Sequence, residues 1–283
     1  MKFRTKSMNK INMRYKNLFF LLLGLSIALS SCKGKSRKEM KGAVEGSQSA
    51  ELFPDSLLCS AETCNQKGRK LAEKGFYEEA REWFGRAIAA DSLFHRAYYN
   101  RGMCWWYKGR HQDAIADYDV AIRLNPVEPD YYNNRSAARL SAGDYEGALA
   151  DAEKALHLGP ESVSFYLNHA LANEGLKNRE VAIADYRRII VLDPHHIKAY
   201  YRMGCLLTNQ GKTEESVDCY VQALKMADTT SLPEVTAAIY YNLGRLYNLH
   251  GNNVKAKQVA EEGVSRYPES KLLKELLRAV DKE

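Results

Sequence analysis

One interval, 34 residues, recurs through most of this chain and constrains its fold more than any other feature. Aligning Gly75, Gly109, Gly143, Lys177 and Gly211 as a column sets units at 61–94, 95–128, 129–162, 163–196 and 197–230. A sixth, 237–270, follows a six-residue insertion, Ser231 to Thr236. Small residues fill the eighth place (Gly68, Gly102, Ser136, Ala170, Gly204, Gly244) and the twentieth (Ala80, Ala114, Ala148, Ala182, Ser216, Ala256), so two helices can cross closely. Tyr98, Tyr132, Tyr166, Tyr200 and Tyr240, at the fourth place, lie one helical turn before the small eighth residue and are expected to fill that crossing. The glycine column supplies the left-handed residue that ends the first helix, and Pro126, Pro160, Pro194 and Pro268 end the second.

This pattern resembles the tetratricopeptide repeat family, whose unit is a 34-residue antiparallel helix pair. The resemblance covers residues 61–270 and implies an all-α fold, a right-handed superhelical solenoid of six helix-turn-helix repeats. Departures are local. Ser92 and Asp228 replace the proline, Ile189 and Gly263 replace the usual alanine, and Lys177 replaces the turn glycine, with Asn178 as the expected left-handed residue. Residues 271–283 place Leu272, Leu273, Leu276, Leu277 and Val280 on one face, which suits a capping helix over the last repeat. A homodimer seam is the rival reading of that face.

Comparing repeats exposes a paired pattern. At the seventh and twenty-third places stand Arg101/Asp117, Arg135/Asp151 and His169/Asp185, then Met203/Cys219 and Leu243/Val259, with Lys67/Trp83 as the exception. Polar goes with acid and apolar with apolar, which predicts a contact inside each repeat and a column of partly buried ion pairs.

Ahead of the repeats, a basic stretch leads into the uncharged run Leu18 to Leu29, too short to cross a bilayer core of about 30 Å, so it reads as the apolar region of a signal peptide over 1–31. Met8 and Met13 are alternative starts within it. Leu29-Ser30-Ser31-Cys32 resembles the bacterial lipobox, which implies a diacylglycerol on Cys32. An ordinary signal peptide with a chance cysteine is the bland alternative. Residues 32–58 read as a polar, basic tether of the lipidated chain, either solvated or resting on anionic headgroups.

Of 41 Lys and Arg residues, six precede Cys32, which leaves 35 basic against 35 acidic side chains and no surplus field for nucleic acid. No catalytic motif, cofactor fingerprint or zinc-type spacing occurs, so no enzyme, cofactor or metal is expected. His195-His196 reads as a solvated turn. Beyond Cys32, five cysteines remain, an odd number, with Cys59–Cys64 as the one candidate bridge near a helix start.

In the resembled family the first helices line a concave groove, read from places 2, 5, 6, 9, 12 and 13. The sixth holds Gln66, Asn100, Asn134, Asn168, Arg202 and Asn242, and a row of amides offers donors and acceptors to an extended peptide. A family preference for Asn there is the bland reading. Asn168, Lys198 and Arg202 match the last three places of the family's carboxylate clamp, whereas Asn133 and Ala137 stand where its Lys and Asn belong. In repeat 2, Tyr99, Met103, Trp106 and Tyr107 fall on groove places, as anchors for a partner or as packing for a neighbouring repeat, and Trp105 is expected in the core. The expectation is an adaptor of the bacterial cell envelope, anchored by lipid on Cys32 in the outer membrane, facing the periplasm and holding a protein or peptide in the groove. The alternative is a structural or pilotin-like accessory of an envelope assembly or secretion machine that uses the convex face or terminal helix.

Overall fold

The computed structural model describes residues 59–227 and 232–281; the leader, Cys32, the tether and Asp228 lie outside them. Among the described residues there are helices and no strands. In order they are α1 (Ala61–Glu73), α2 (Tyr77–Ala90), α3 (His95–Tyr107), α4 (His111–Leu124), α5 (Pro129–Ala142), α6 (Tyr145–Leu158) and α7 (Val163–Gly175). There follow α8 (Arg179–Leu192), α9 (Ile197–Asn209), α10 (Thr213–Met226), α11 (Pro233–Leu249), α12 (Asn253–Arg266) and α13 (Lys271–Val280). The insertion therefore contributes an extra turn to α11, with Pro233 in its first turn and Thr236 buried.

Each odd helix through α11 closes in the same way. The residue after the turn donates its backbone N–H five residues back, as Phe76 does to Leu71 (3.0 Å) and Asp144 to Arg139 (2.9 Å), and the residue between adopts positive φ. Gly75, Gly109, Gly143, Gly211 and Gly251 take that conformation without steric cost. In repeat 4 it is Lys177 (φ 65°), not Asn178, that goes left-handed. The closing bond from Asn178 N to Asn173 O (2.8 Å) fixes the register, and Asn178 keeps φ −80° just before α8.

The crossing is packed differently from expectation. Rings from the twenty-fourth place of the second helix lie over the small eighth residue: a Cβ on Gly68 would meet Phe84 at 2.6 Å, and on Gly102 or Gly204 would meet Tyr118 or Tyr220 at 2.7 Å. Where the eighth residue is Ser136, the twenty-fourth is Ala152 and the serine hydroxyl donates to Ala148 O (2.7 Å). In repeat 6 the crossing is filled from outside, by Leu276 of α13, 2.7 Å from a Cβ built on Gly244. The fourth-place tyrosines sit instead near the turn leading into their helix: Tyr132 donates to Pro126 O (3.1 Å) and Tyr98 to Ser92 O (3.3 Å). Trp105 is half-buried, packed against the core cluster of Ala114, Tyr118 and Ala138, with the guanidiniums of Arg81 (4.4 Å) and Arg110 (4.1 Å) over its ring.

The seventh and twenty-third places meet in every repeat. Arg101 donates to Asp117 through Nε (2.7 Å) and a second nitrogen (2.6 Å); Arg135 binds Asp151 (2.6 Å) and reaches Asp119 of the previous repeat (2.6 Å); His169 Nδ1 lies 2.7 Å from Asp185. Lys67 stands 4.5 Å over the Trp83 ring, so the exception is a cation over a π face. Met203 and Cys219 share one apolar cluster, Leu243 and Val259 the next. Along α13, Leu273, Leu276 and Val280 are buried against repeat 6 and only Leu272 of its larger apolar residues stands well exposed, so within a single chain the helix spends its apolar face on the last repeat.

Candidate functional site

First helices of neighbouring repeats approach one another, α1 with α3, α3 with α5, α5 with α7 and α9 with α11, while second helices make no comparable approach, so the array curves toward the first helices. At repeats 1 to 3 this inner side encloses a cavity of about 720 Å³. Its apolar floor is Phe84, Met103 and Cys104. Two ring pairs form its walls, Tyr77 stacked on Tyr107 at 4.6 Å and Tyr99 against Tyr131 at 4.7 Å. Asn65 and Asn100 supply amides, and the charged lining is Glu62, Glu73, Glu128 and Asp130 against Arg69 and Arg96. Burial, then Glu128, pushes the Tyr131 hydroxyl up to about 12; burial, then Asp130, raises Tyr99 above the ordinary phenol range. Both stay protonated, Tyr131 bonded to His95 Nδ1 (2.6 Å), whose own pKa burial and Arg96 lower.

The sixth-place amides are largely engaged between repeats. Asn100 donates to Asn65 Oδ1 (2.8 Å), Asn134 to the Tyr99 hydroxyl (2.7 Å), and buried Asn168 to both the backbone oxygen (3.0 Å) and Oδ1 (2.8 Å) of Asn133. Asn242 points its amide at Cys205 Sγ (3.9 Å), Gln66 bonds Glu62 on its own helix (3.3 Å), and Arg202 binds Glu174 (3.2 Å). Lys198 is exposed on α9. Met103 and Tyr107 line the cavity with Tyr99, whereas Trp106 packs beside Ala114, Tyr118 and Ala138 with its indole N–H buried and unbonded.

Outer-helix tyrosines reach this inner face, a contribution that groove places alone do not reveal. Tyr186, fully buried, donates to Glu174, which lines a second concave cavity with Arg202, Leu171 and Ser141. Tyr220 places its hydroxyl 3.5 Å from Cys205 Sγ, and both line a third. The available signal is the pairing of an aromatic at the twenty-fourth place with a small eighth residue. All five described cysteines are free thiols, so Cys59 and Cys64 are not bridged. Among the described residues no group of His, Cys, Asp and Glu is placed to hold a metal ion, and no helix is long and apolar enough to cross a membrane.

Comparisons with known proteins fit this geometry. Models described as tetratricopeptide repeat match residues 65–129, 135–197 and 197–230. A tetratricopeptide repeat and J domain-containing co-chaperone of Cryptococcus neoformans var. grubii is 31% identical over 80 residues, which is 28% of this chain and 15% of that protein's length. Among solved structures, PilW, a widely conserved type IV pilus biogenesis factor, superposes with TM-score 0.66 at 15% identity, covering 77% of this chain and 98% of that one. YrrB, a repeat protein with an unusual peptide-binding site, gives 0.56 at 21% identity, covering 67% and 95%. At these identities the structures share the fold.

Proposed function

We propose, from the premise that the chain belongs to the tetratricopeptide repeat family, that it is a periplasm-facing adaptor of a bacterial envelope, anchored by lipid on Cys32. Proteins built on this repeat bind protein or peptide partners and are generally non-enzymatic adaptors. The chain is read here as an adaptor that catalyses nothing itself and holds an extended segment of a protein ligand along its first helices. The observation that carries this reading is the 720 Å³ concave cavity, within the size range of ligand sites and walled by rings of the kind in which binding energy concentrates. Anchoring rests on Leu29-Ser30-Ser31-Cys32 behind its apolar run. The sorting to the outer membrane is part of the same proposal.

A second reading, an accessory of an envelope assembly machine, is favoured by a cleft of about 440 Å³ on the outer side between α10, α11 and α12, lined by Val221, Leu243, Val259 and Lys255. The pilus biogenesis factor of like fold lends it analogy. Substituting Asn134 or Asn168 would loosen repeat junctions and confuse the two readings, so photo-crosslinking is the better discriminator. A benzoylphenylalanine at 107, where Tyr107 is 53% exposed in the groove, should capture a partner in native envelopes, and one at outer-wall Arg187 should not. The reverse result transfers the function to the outer face. Cys32→Ala should release the protein from the membrane fraction, and retention there would end the lipid-anchor reading.

A further inference from the structure

The charged lining of the concave face is not evenly distributed. Around the cavity of repeats 1 to 3, four carboxylates face two guanidiniums, and among the described residues none of these six makes an ion pair. Even if Arg69 and Arg96 each neutralise one neighbour, two carboxylates remain in excess. The first-helix places that follow, Asn133, Asn134, Ala137, Leu167 and Leu171, carry no charge. Lys198, Arg202 and Arg245 then reverse the sign against one carboxylate, Glu174, which Arg202 already binds.

The carboxylates are also placed beside rings. Glu128 and Asp130 flank the Tyr99–Tyr131 pair closely enough for their field to reach both hydroxyls. A cation over a tyrosine face gains from the ring quadrupole, and more so with a carboxylate behind it. The floor below, Phe84 and Met103, is apolar, so the complement is a cationic head on an apolar stem, with a second apolar group beside it.

Resting on the groove reading above, we propose that repeats 1 to 3 select an extended segment of a partner protein that carries a lysine or arginine next to an aromatic or large aliphatic residue. The cation lies between the Tyr99–Tyr131 pair and the carboxylates of Glu128 and Asp130. Its apolar neighbour enters over Met103 and Phe84 beside the stacked Tyr77 and Tyr107. An acidic segment is repelled there, which makes the site selective by charge as well as by shape.

The test is panning of a random dodecapeptide library displayed on phage against the full chain purified in detergent, followed by anisotropy measurements on synthetic copies of the enriched peptides. Enrichment of Lys or Arg adjacent to Phe, Tyr, Leu or Met is expected. Those peptides should bind Glu128→Gln/Asp130→Asn about tenfold more weakly, and more weakly in high salt, while Glu153→Gln/Glu261→Gln on the outer wall, which removes the same charge, leaves binding unchanged. Thermal melts confirm that each variant is folded. Enriched peptides without basic residues, or binding indifferent to Glu128 and Asp130, overturn the charge selection. If such peptides still block crosslinking from position 107, the groove reading stands without it; if no enriched peptide blocks it, both fall.

Discussion

Cutting the Arg101–Asp117 pair in one place and replacing it whole in another should have very different costs. The Asp117 side chain is 8% exposed and accepts two bonds from Arg101, itself 28% exposed and 5.6 Å over the Tyr98 ring. Asp117→Val leaves a guanidinium without its partner in a largely dry place, for which the usual cost is about 3 to 5 kcal/mol. Because Arg101 can turn partly toward water, the lower end, about 3 kcal/mol, is expected. The double change Arg101→Leu/Asp117→Val copies what repeat 6 does with Leu243 and Val259, which pack in one apolar cluster, and should lie within about 1 kcal/mol of the parent. Solenoids need not unfold all at once, so a local probe is required. The three tryptophans, Trp83, Trp105 and Trp106, all lie in repeats 1 and 2, and their fluorescence during urea unfolding reads the affected region. In heating, a loss of about 3 kcal/mol lowers the midpoint by about 6 to 12 °C for a domain of this size. If Asp117→Val is as mild as the double variant, or the double as damaging as the single, the pair is not the strut its geometry implies.

Other consequences are sharper locally. Lys177→Gly relieves a left-handed side chain and should raise the thermal midpoint by a few degrees, worth about 1 kcal/mol; a drop would mean the Lys177 side chain contributes something the backbone does not reveal. Leu276→Ala empties the crossing over Gly244 and should cost about 2 to 4 kcal/mol, read by hydrogen exchange across α11 and α12. Burial holds the thiols of Cys64, Cys104 and Cys219 near 11 against 9.0 unburied. The unfolded chain therefore loses these protons first, and the stability they contribute, complete below about pH 9, declines as pH rises toward 11. The urea midpoint should fall between pH 8 and pH 10.5, and at pH 8 iodoacetamide should leave all three unmodified until the chain is unfolded; rapid labelling of the native protein would contradict that burial.

Much of the fold is legible because its determinants are local and repeated. A glycine where φ must be positive, an alanine where helices touch, and a correlated pair at two places each leave a mark in every unit, and the Arg101/Asp117 and Leu243/Val259 contacts follow from correlation alone. What fills the crossing is less legible, since Tyr98 and Tyr118 are equally aromatic and only the built backbone decides which ring crosses Gly102. Lys177 illustrates a different limit: intrinsic preference names Asn178, but the closing hydrogen bond fixes the register regardless. The row of sixth-place amides is visible as a row, whereas the partners of Asn100, Asn134 and Asn168 lie 35 residues back, at the fifth place of the preceding repeat, an offset set by superhelical stacking. Of the cavity's carboxylates, Glu62, Glu73 and Asp130 stand on groove places 2 and 13, whereas Glu128, in the turn before α5, escapes a reading of first-helix places.

The tyrosines that pass over the first helix have an evolutionary consequence. Since Tyr186 and Tyr220 originate on the outer helices and end among Glu174, Arg202 and Cys205, a lineage could retune what its inner surface accepts by mutating a wall that no ligand touches. Such a change would need a matching one sixteen residues earlier, where a small residue, Ala170 or Gly204, makes room for the ring. Drift in ligand preference should then be inherited as pairs of substitutions within single repeats, leaving the remaining units untouched.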